Sequence, residues 1–144
     1  MIMGAVGLSQ SAVGGPLKNP EDPDPALEDE EIFLWAEGSE NNGQNQEYRP
    51  KIKIYYPTVR DKDANKKFAA VLICPGGGYH IQASHEGQPF ARLFAMNGII
   101  GIVLTYRVSP DRYPGSYSDA CRAIRFLRKN ANNYNIDPDR IGIM

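Results

Sequence analysis

VLICPGGGYHIQASHEG, residues 71–87, opens inside an apolar run that begins at Phe68, continues to Cys74 and is broken at once by Pro75 and three glycines. An uninterrupted apolar run of this length predicts an interior strand covered on both faces. Glycines lack a Cβ, take left-handed conformations and let backbone N–H groups approach a ligand closely. A dinucleotide-binding turn would need G-x-G-x-x-G running straight into a helix. Here Ile81 stands where the third glycine belongs, and nine residues, 79–87, separate Gly78 from the next helical pattern. A nucleoside-triphosphate loop would need Lys followed by Ser or Thr after the last glycine, and neither is present. An oxyanion hole, which needs two fixed N–H donors aimed at a developing carbonyl anion, remains open beside a plain tight turn.

The flanking segments place this loop in a fold. Residues 51–56 alternate as Lys51, Ile52, Lys53, Ile54, Tyr55, the period-two pattern of a strand with one wet face, and Pro57 ends it. Before it, residues 32–35 are short and apolar and residues 38–46 (GSENNGQNQ) form a polar, turn-rich loop. After the glycines, residues 88–96 predict a helix with Phe90, Leu93, Phe94 and Asn97 at helical spacing, closed by Gly98 in a left-handed conformation. A second buried strand is expected at 99–106 (IIGIVLTY). A long helix is expected at 118–134, where Ala120, Ile124, Leu127, Ala131 and Tyr134 repeat at three-four spacing behind Ser118 as N-cap. Residues 135–140 (NIDPDR) read as a turn, and 141–144 begin a third strand.

Strands alternating with helices imply crossover connections and a mostly parallel sheet. The expected class is α/β, with an antiparallel N-terminal portion and helices on both faces. Ligands in such sheets sit beyond the carboxyl ends of the strands, which directs attention to residues 75–86.

Composition bounds the rest. A chain of 144 residues with 42% hydrophobic content has room for one domain with a core. Its net charge of −1 hides an asymmetry, because residues 1–47 hold ten acidic side chains and one lysine, whereas 48–144 hold fifteen basic and seven acidic. Residues 14–31 (GGPLKNPEDPDPALEDEE) have too little apolar surface to offset ordering entropy, so 1–30 is expected to be a flexible tail and 31–144 the folded unit. The basic residues are dispersed among apolar segments, with no dense cluster interleaved with aromatics, and no nucleic-acid partner is expected. No apolar run approaches the roughly 20 residues that cross a bilayer, so no membrane partner is expected either. Residues 1–15 lack a basic start followed by a continuous apolar stretch, which makes a cytoplasmic setting the default and leaves an extracellular one open. Cys74 and Cys121 have no metal-type spacing and read as small core residues, with no metal site expected.

Four pieces, VLICPGGGYHIQASHEG at 71–87, TYRVSP at 105–110, DACRAIRFLR at 119–128 and NIDPDRIGIM at 135–144, resemble in content and order the bacterial α/β-hydrolases that include acetylxylan-esterase-like and other carbohydrate or small-ester esterases. The resemblance implies a serine esterase acting on acetyl or other small acyl esters, with sugars or xylan among the candidate alcohols and no metal or organic cofactor. It implies that Gly77 and Gly78, with Tyr79 as a further candidate, offer oxyanion-hole N–H groups. In that family the last piece runs directly into the serine-bearing elbow G-F-S-A-G-G. The serine, acid and histidine are therefore expected outside residues 1–144, leaving this chain inactive alone as the N-terminal part of a hydrolase. A related lipase family carries His before its glycines, where this chain has Pro75, so no such role is transferred. A serine peptidase of the same superfamily and a non-catalytic α/β binding module remain alternatives.

Other residues near the loop attract attention. Ser84 and His85 are neighbours in sequence, but adjacent residues rarely meet in nucleophile–base geometry. His80, His85, Glu86, Arg107 and Asp119, together with Tyr79, are expected to line the substrate rim or brace the loops, with Glu86 favouring the N-terminus of the following helix and Arg107 pairing with Asp119. A third strand beginning at Ile141 is expected to leave an apolar sheet edge and a tendency to self-associate.

Overall fold

The computed structural model describes residues 31–57 and 65–144. Five strands form one sheet in the order β1-β2-β4-β3-β5: β1 (Glu31–Phe33), β2 (Lys51–Tyr55), β3 (Phe68–Ile73), β4 (Ile100–Thr105) and β5 (Ile136–Ile143). β1 pairs antiparallel with β2, and β2 antiparallel with β4, whereas β4–β3 and β3–β5 are parallel. The sheet is thus mixed, antiparallel at its N-terminal side and parallel beyond. The proposed tail, 1–30, and much of the charged turn before β3 lie outside the described residues.

Alternation along the strands sends side chains to two separate cores. Ile52, Ile54, Leu72, Ile100, Ile102 and Leu104 meet Ala123 and Leu127 of helix α2 (Gly115–Lys129) on one face. Tyr55 and Ile73 meet Ala91 and Ala95 of helix α1 (Gln88–Met96) on the other. Helices therefore cover both faces, as a buried parallel sheet requires.

α1 faces the sheet differently from the spacing of its large side chains. Phe90 and Leu93 are exposed, and the small Ala91 and Ala95 are buried. Close approach explains the choice: a Cβ placed on Gly101 of β4 would lie 2.3 Å from the Ala91 carbonyl oxygen, so only small residues fit where helix and strand meet. Gly98, with φ +79°, closes α1. Its N–H donates to the Ala95 carbonyl and the Ile99 N–H to the Phe94 carbonyl, the paired bonds of a Schellman cap.

α2 begins three residues earlier than the sequence pattern predicts, at Gly115 behind Pro114, and Ser118 lies inside its first turns. It ends at Lys129 because Asn130 caps it, its side-chain amide donating to the Phe126 carbonyl. The apolar spacing continues to Tyr134 through a turn that keeps Ala131 buried and Tyr134 against Phe126. Apart from Asn135, the NIDPDR segment lies within β5 rather than ahead of it. Its turn character survives as a register shift: Phe68 pairs with Ile136 and Ala70 with Ile141, so residues 137–140 bulge out of the ladder.

Candidate active site

The glycine segment leaves β3 at Pro75 beside the carboxyl end of β4, and side chains from elsewhere hold both sides of that junction. The Tyr106 hydroxyl, just after β4, donates to the Pro75 carbonyl. Glu86 Oε2 accepts from the Gly76 N–H at 2.8 Å, and a Cβ on Gly76 would sit 2.7 Å from that same oxygen. The Glu86 carboxylate is thus turned to the loop, and no acidic residue occupies the first turn of α1. Gln82 adds a third tie, donating to the Tyr106 carbonyl at 2.7 Å.

Within the loop the backbone folds on itself. Gly77 takes φ +143°, and a Cβ there would collide with the Ile81 carbonyl oxygen at 2.2 Å. Gly78 and Tyr79 follow at φ +61° each, and Tyr79 is a non-glycine residue held in the left-handed region. The Gly76 and Gly77 carbonyls accept from Ala83, His80 and Ile81, while the Tyr79 carbonyl accepts from Ser109 N–H at 2.7 Å. Among the described residues, the amide N–H groups of Gly77, Gly78 and Tyr79 donate to no protein acceptor. Gly77 is half-buried and Gly78 and Tyr79 are exposed, so these three successive N–H groups are open to water or to a ligand.

These donors border a cleft of about 800 Å³ whose other walls come from the segment after β4 and the start of α2. Cys74 lies at its floor, and burial pushes its thiol up to about 11. Burial, aided by nearby Cys74, Tyr79 and Glu86, also raises the Tyr106 phenol, which keeps it a donor to Pro75. Tyr79, Tyr113 and Tyr117 stand exposed around the mouth at 68%, 86% and 66%.

Arg107 and Asp119 form a buried bidentate pair. Asp119, fully buried, accepts from Arg107 Nη2 at 2.9 Å, from Arg107 Nε and backbone N–H at 3.0 Å each, and from Trp35 Nε1 at 2.8 Å. Arg107 also donates to the Gly115 carbonyl and to Asn41, tying α2 and the loop between β1 and β2 to the end of β4. That loop backs the cleft residues from behind: Gly43 packs on the Arg107 stem, and Gln44 N–H donates to Asp111 at 3.0 Å. Nothing local in the sequence marks Trp35 or Asn41; only the fold brings them to Asp119 and Arg107, and the Tyr106 hydroxyl to Pro75.

The remaining candidates lie apart from this network. His80 lines the cleft through the loop. His85 is largely exposed, with Nε2 3.8 Å from Glu86 Oε1, and is not among the residues around the cleft. Ser84 starts the short helical turn Ser84–Glu86, where its carbonyl accepts from Gly87. Cys74 and Cys121 are free thiols. Among the described residues no three metal-ligating side chains converge, and no helix is long and apolar enough to cross a membrane.

The chain is similar to known hydrolases. The sequence profile of the BD-FAE family matches residues 52–144. Endo-1,4-beta-xylanase B of Butyrivibrio fibrisolvens is 33% identical over 115 residues, covering 77% of this chain and 17% of that protein. The crystal structure of an acetyl ester-xyloside bifunctional hydrolase from Caldicellulosiruptor lactoaceticus superposes with TM-score 0.69 at 33% identity over 79% of this chain and 41% of that one. MGS-M1, an α/β hydrolase enzyme from a Medee basin deep-sea metagenome library, superposes with TM-score 0.65 at 28% identity over 80% of this chain and 44% of that one. The chain thus spans less than half the length of each. Matched in profile across most of its described fold, it belongs to the BD-FAE family and carries part of an esterase-like α/β-hydrolase fold.

Proposed function

We propose that residues 31–144 supply the oxyanion-hole loop and one wall of the substrate cleft in a serine hydrolase of carboxylic esters, with sugar-borne acetyl or other small acyl groups as the preferred class. The observation that carries this is the run of three open N–H donors at Gly77, Gly78 and Tyr79, at the carboxyl end of a parallel strand and on the border of the cleft. When a nucleophile attacks an ester carbonyl, negative charge gathers on the carbonyl oxygen, and each preorganised donor removed from such a site costs about 2.7–4 kcal/mol of barrier. The loop is preorganised by its anchors, Tyr106 on Pro75 and Glu86 on Gly76, so the donors need no rearrangement as charge develops. The second donor of such holes follows the nucleophile itself. The 144 residues contain no G-x-S-x-G, so serine, acid and histidine are assigned to sequence beyond them. Exposed tyrosines around a cleft with a largely apolar lining suit the faces of a sugar ring, in keeping with the acetyl ester-xyloside hydrolase that the chain resembles.

Two proteins test this. The 144-residue chain alone should give no p-nitrophenyl acetate turnover that a fluorophosphonate blocks. A chimera in which residues 52–144 replace their counterpart in the Caldicellulosiruptor hydrolase should regain fluorophosphonate-sensitive turnover and lose at least tenfold in kcat on Gly77→Ala. Serine-dependent turnover by the chain alone would overturn the assignment of the nucleophile. A folded chimera whose activity ignores Gly77 would overturn the role of the loop.

A further inference from the structure

Charged side chains around the cleft are not equally committed. Arg107 is spent on Asp119, Gly115 and Asn41. Asp111 faces the loop between β1 and β2, with Oδ2 on the Gln44 N–H and 2.9 Å from where a Gly43 Cβ would lie. Arg112 alone of the three is exposed, and among the described residues its guanidinium meets no carboxylate, carbonyl or aromatic face. It stands between Asp111 and the 86%-exposed Tyr113, on the same cleft as Tyr79, Tyr117 and His80. Tyrosine faces suit a ring, and a planar fork of N–H donors suits a carboxylate, which it can hold through two parallel bonds.

We propose that the cleft selects a pyranose ring bearing a carboxylate, a uronate, with Arg112 receiving the carboxylate and the rim tyrosines, Tyr113 foremost, covering the ring. The proposal rests on reading the cleft as a site for sugar-borne esters and adds the charge that the sugar carries. Arg112 lies within the part of the cleft that this chain builds, so recognition of the ring does not depend on the serine and is measurable without turnover.

The probes are methyl β-D-glucopyranosiduronate and its neutral counterpart, methyl β-D-glucopyranoside, titrated into the 15N-labelled 144-residue chain at pH 7 and low salt. The uronate should bind at least fivefold more tightly, with amide shifts centred on Arg112, Tyr113 and the Gly77–Tyr79 loop. Arg112→Gln should erase the preference and Arg112→Lys should retain part of it, while Tyr113→Ala should weaken both sugars alike. Raising ionic strength to about 0.5 M should shrink the preference, because a partly exposed ion pair is screened. Equal affinity for the two sugars, a preference that survives Arg112→Gln, or shifts away from the cleft would overturn the proposal. If neither sugar binds, it is likewise overturned. Esterase activity of the chimera on sugar acetates, retained despite an absent uronate preference, would separate failure of this inference from failure of the ester-hydrolase reading.

Discussion

Removing the Asp119 carboxylate should be the most damaging single change in the described fold. It is fully buried and accepts four hydrogen bonds, three from Arg107 and one from Trp35. Asp119→Ala leaves Arg107, itself 9% exposed, with the Gly115 carbonyl and the Asn41 amide oxygen as its remaining partners, and strips the acceptor from Trp35 Nε1–H and from the Arg107 backbone N–H. Breaking a buried ion pair by deleting one member costs about 3–5 kcal/mol, because the other charge stays desolvated and uncompensated. Against a whole-domain stability on the order of 5–15 kcal/mol, that is a fifth of the total at the least. Asp119→Asn keeps the shape and one acceptor oxygen, so its loss should be smaller than that of alanine. The assay is urea unfolding at pH 7 followed by fluorescence of Trp35, the single tryptophan and a direct partner of Asp119, with far-UV circular dichroism as the second probe. An Asp119→Ala chain within about 1 kcal/mol of its parent would refute the claim that this pair holds α2, β4 and the loop between β1 and β2 together.

The glycine loop predicts an unequal pair: Gly77→Ala must move the Ile81 carbonyl, whereas Gly78→Ala, at φ +61° with open space around its Cβ, should cost only about 1–2 kcal/mol of left-handed strain, read as the difference in thermal midpoint between the two. Cys74, with its thiol pushed up to about 11, should be alkylated by iodoacetamide at pH 8 far more slowly than the same thiol in urea-unfolded chain, and equal rates would refute its burial. Since folding raises this pKa from 9.0, the linked stability is intact below pH 9 and is lost as pH climbs toward about 11, which a series of urea midpoints from pH 8 to 11 would register. β5 pairs with β3 alone among the described strands and leaves Ile143, with Met144 just after it, exposed, so sedimentation velocity should show concentration-dependent self-association that Ile143→Lys suppresses; monomers at all concentrations would count against it.

Period and punctuation made most of the sheet legible. Continuous apolar runs located β3 and β4, alternation located β2, and Gly98 located the end of α1, because each signal is local and backbone geometry enforces it. What stayed hidden depends on contacts distant in sequence. The exposed faces of Phe90 and Leu93 are set by how closely Gly101 lets α1 approach β4, a property of two segments together. α2 starts at Gly115, where the Pro114 carbonyl accepts the first helical bond from the Ser118 N–H, while Ser118, with the more familiar capping chemistry, lies inside the helix. The site divides the same way. Three glycines announce a loop with available N–H groups, yet what fixes that loop is a tyrosine 31 residues from Pro75 and a glutamate ten residues from Gly76. Glycine confers freedom, and freedom alone would leave the donors unaimed. The Tyr106 and Glu86 anchors convert that freedom into one conformation, so the loop's chemistry belongs to the assembled end of the sheet rather than to the glycine motif by itself.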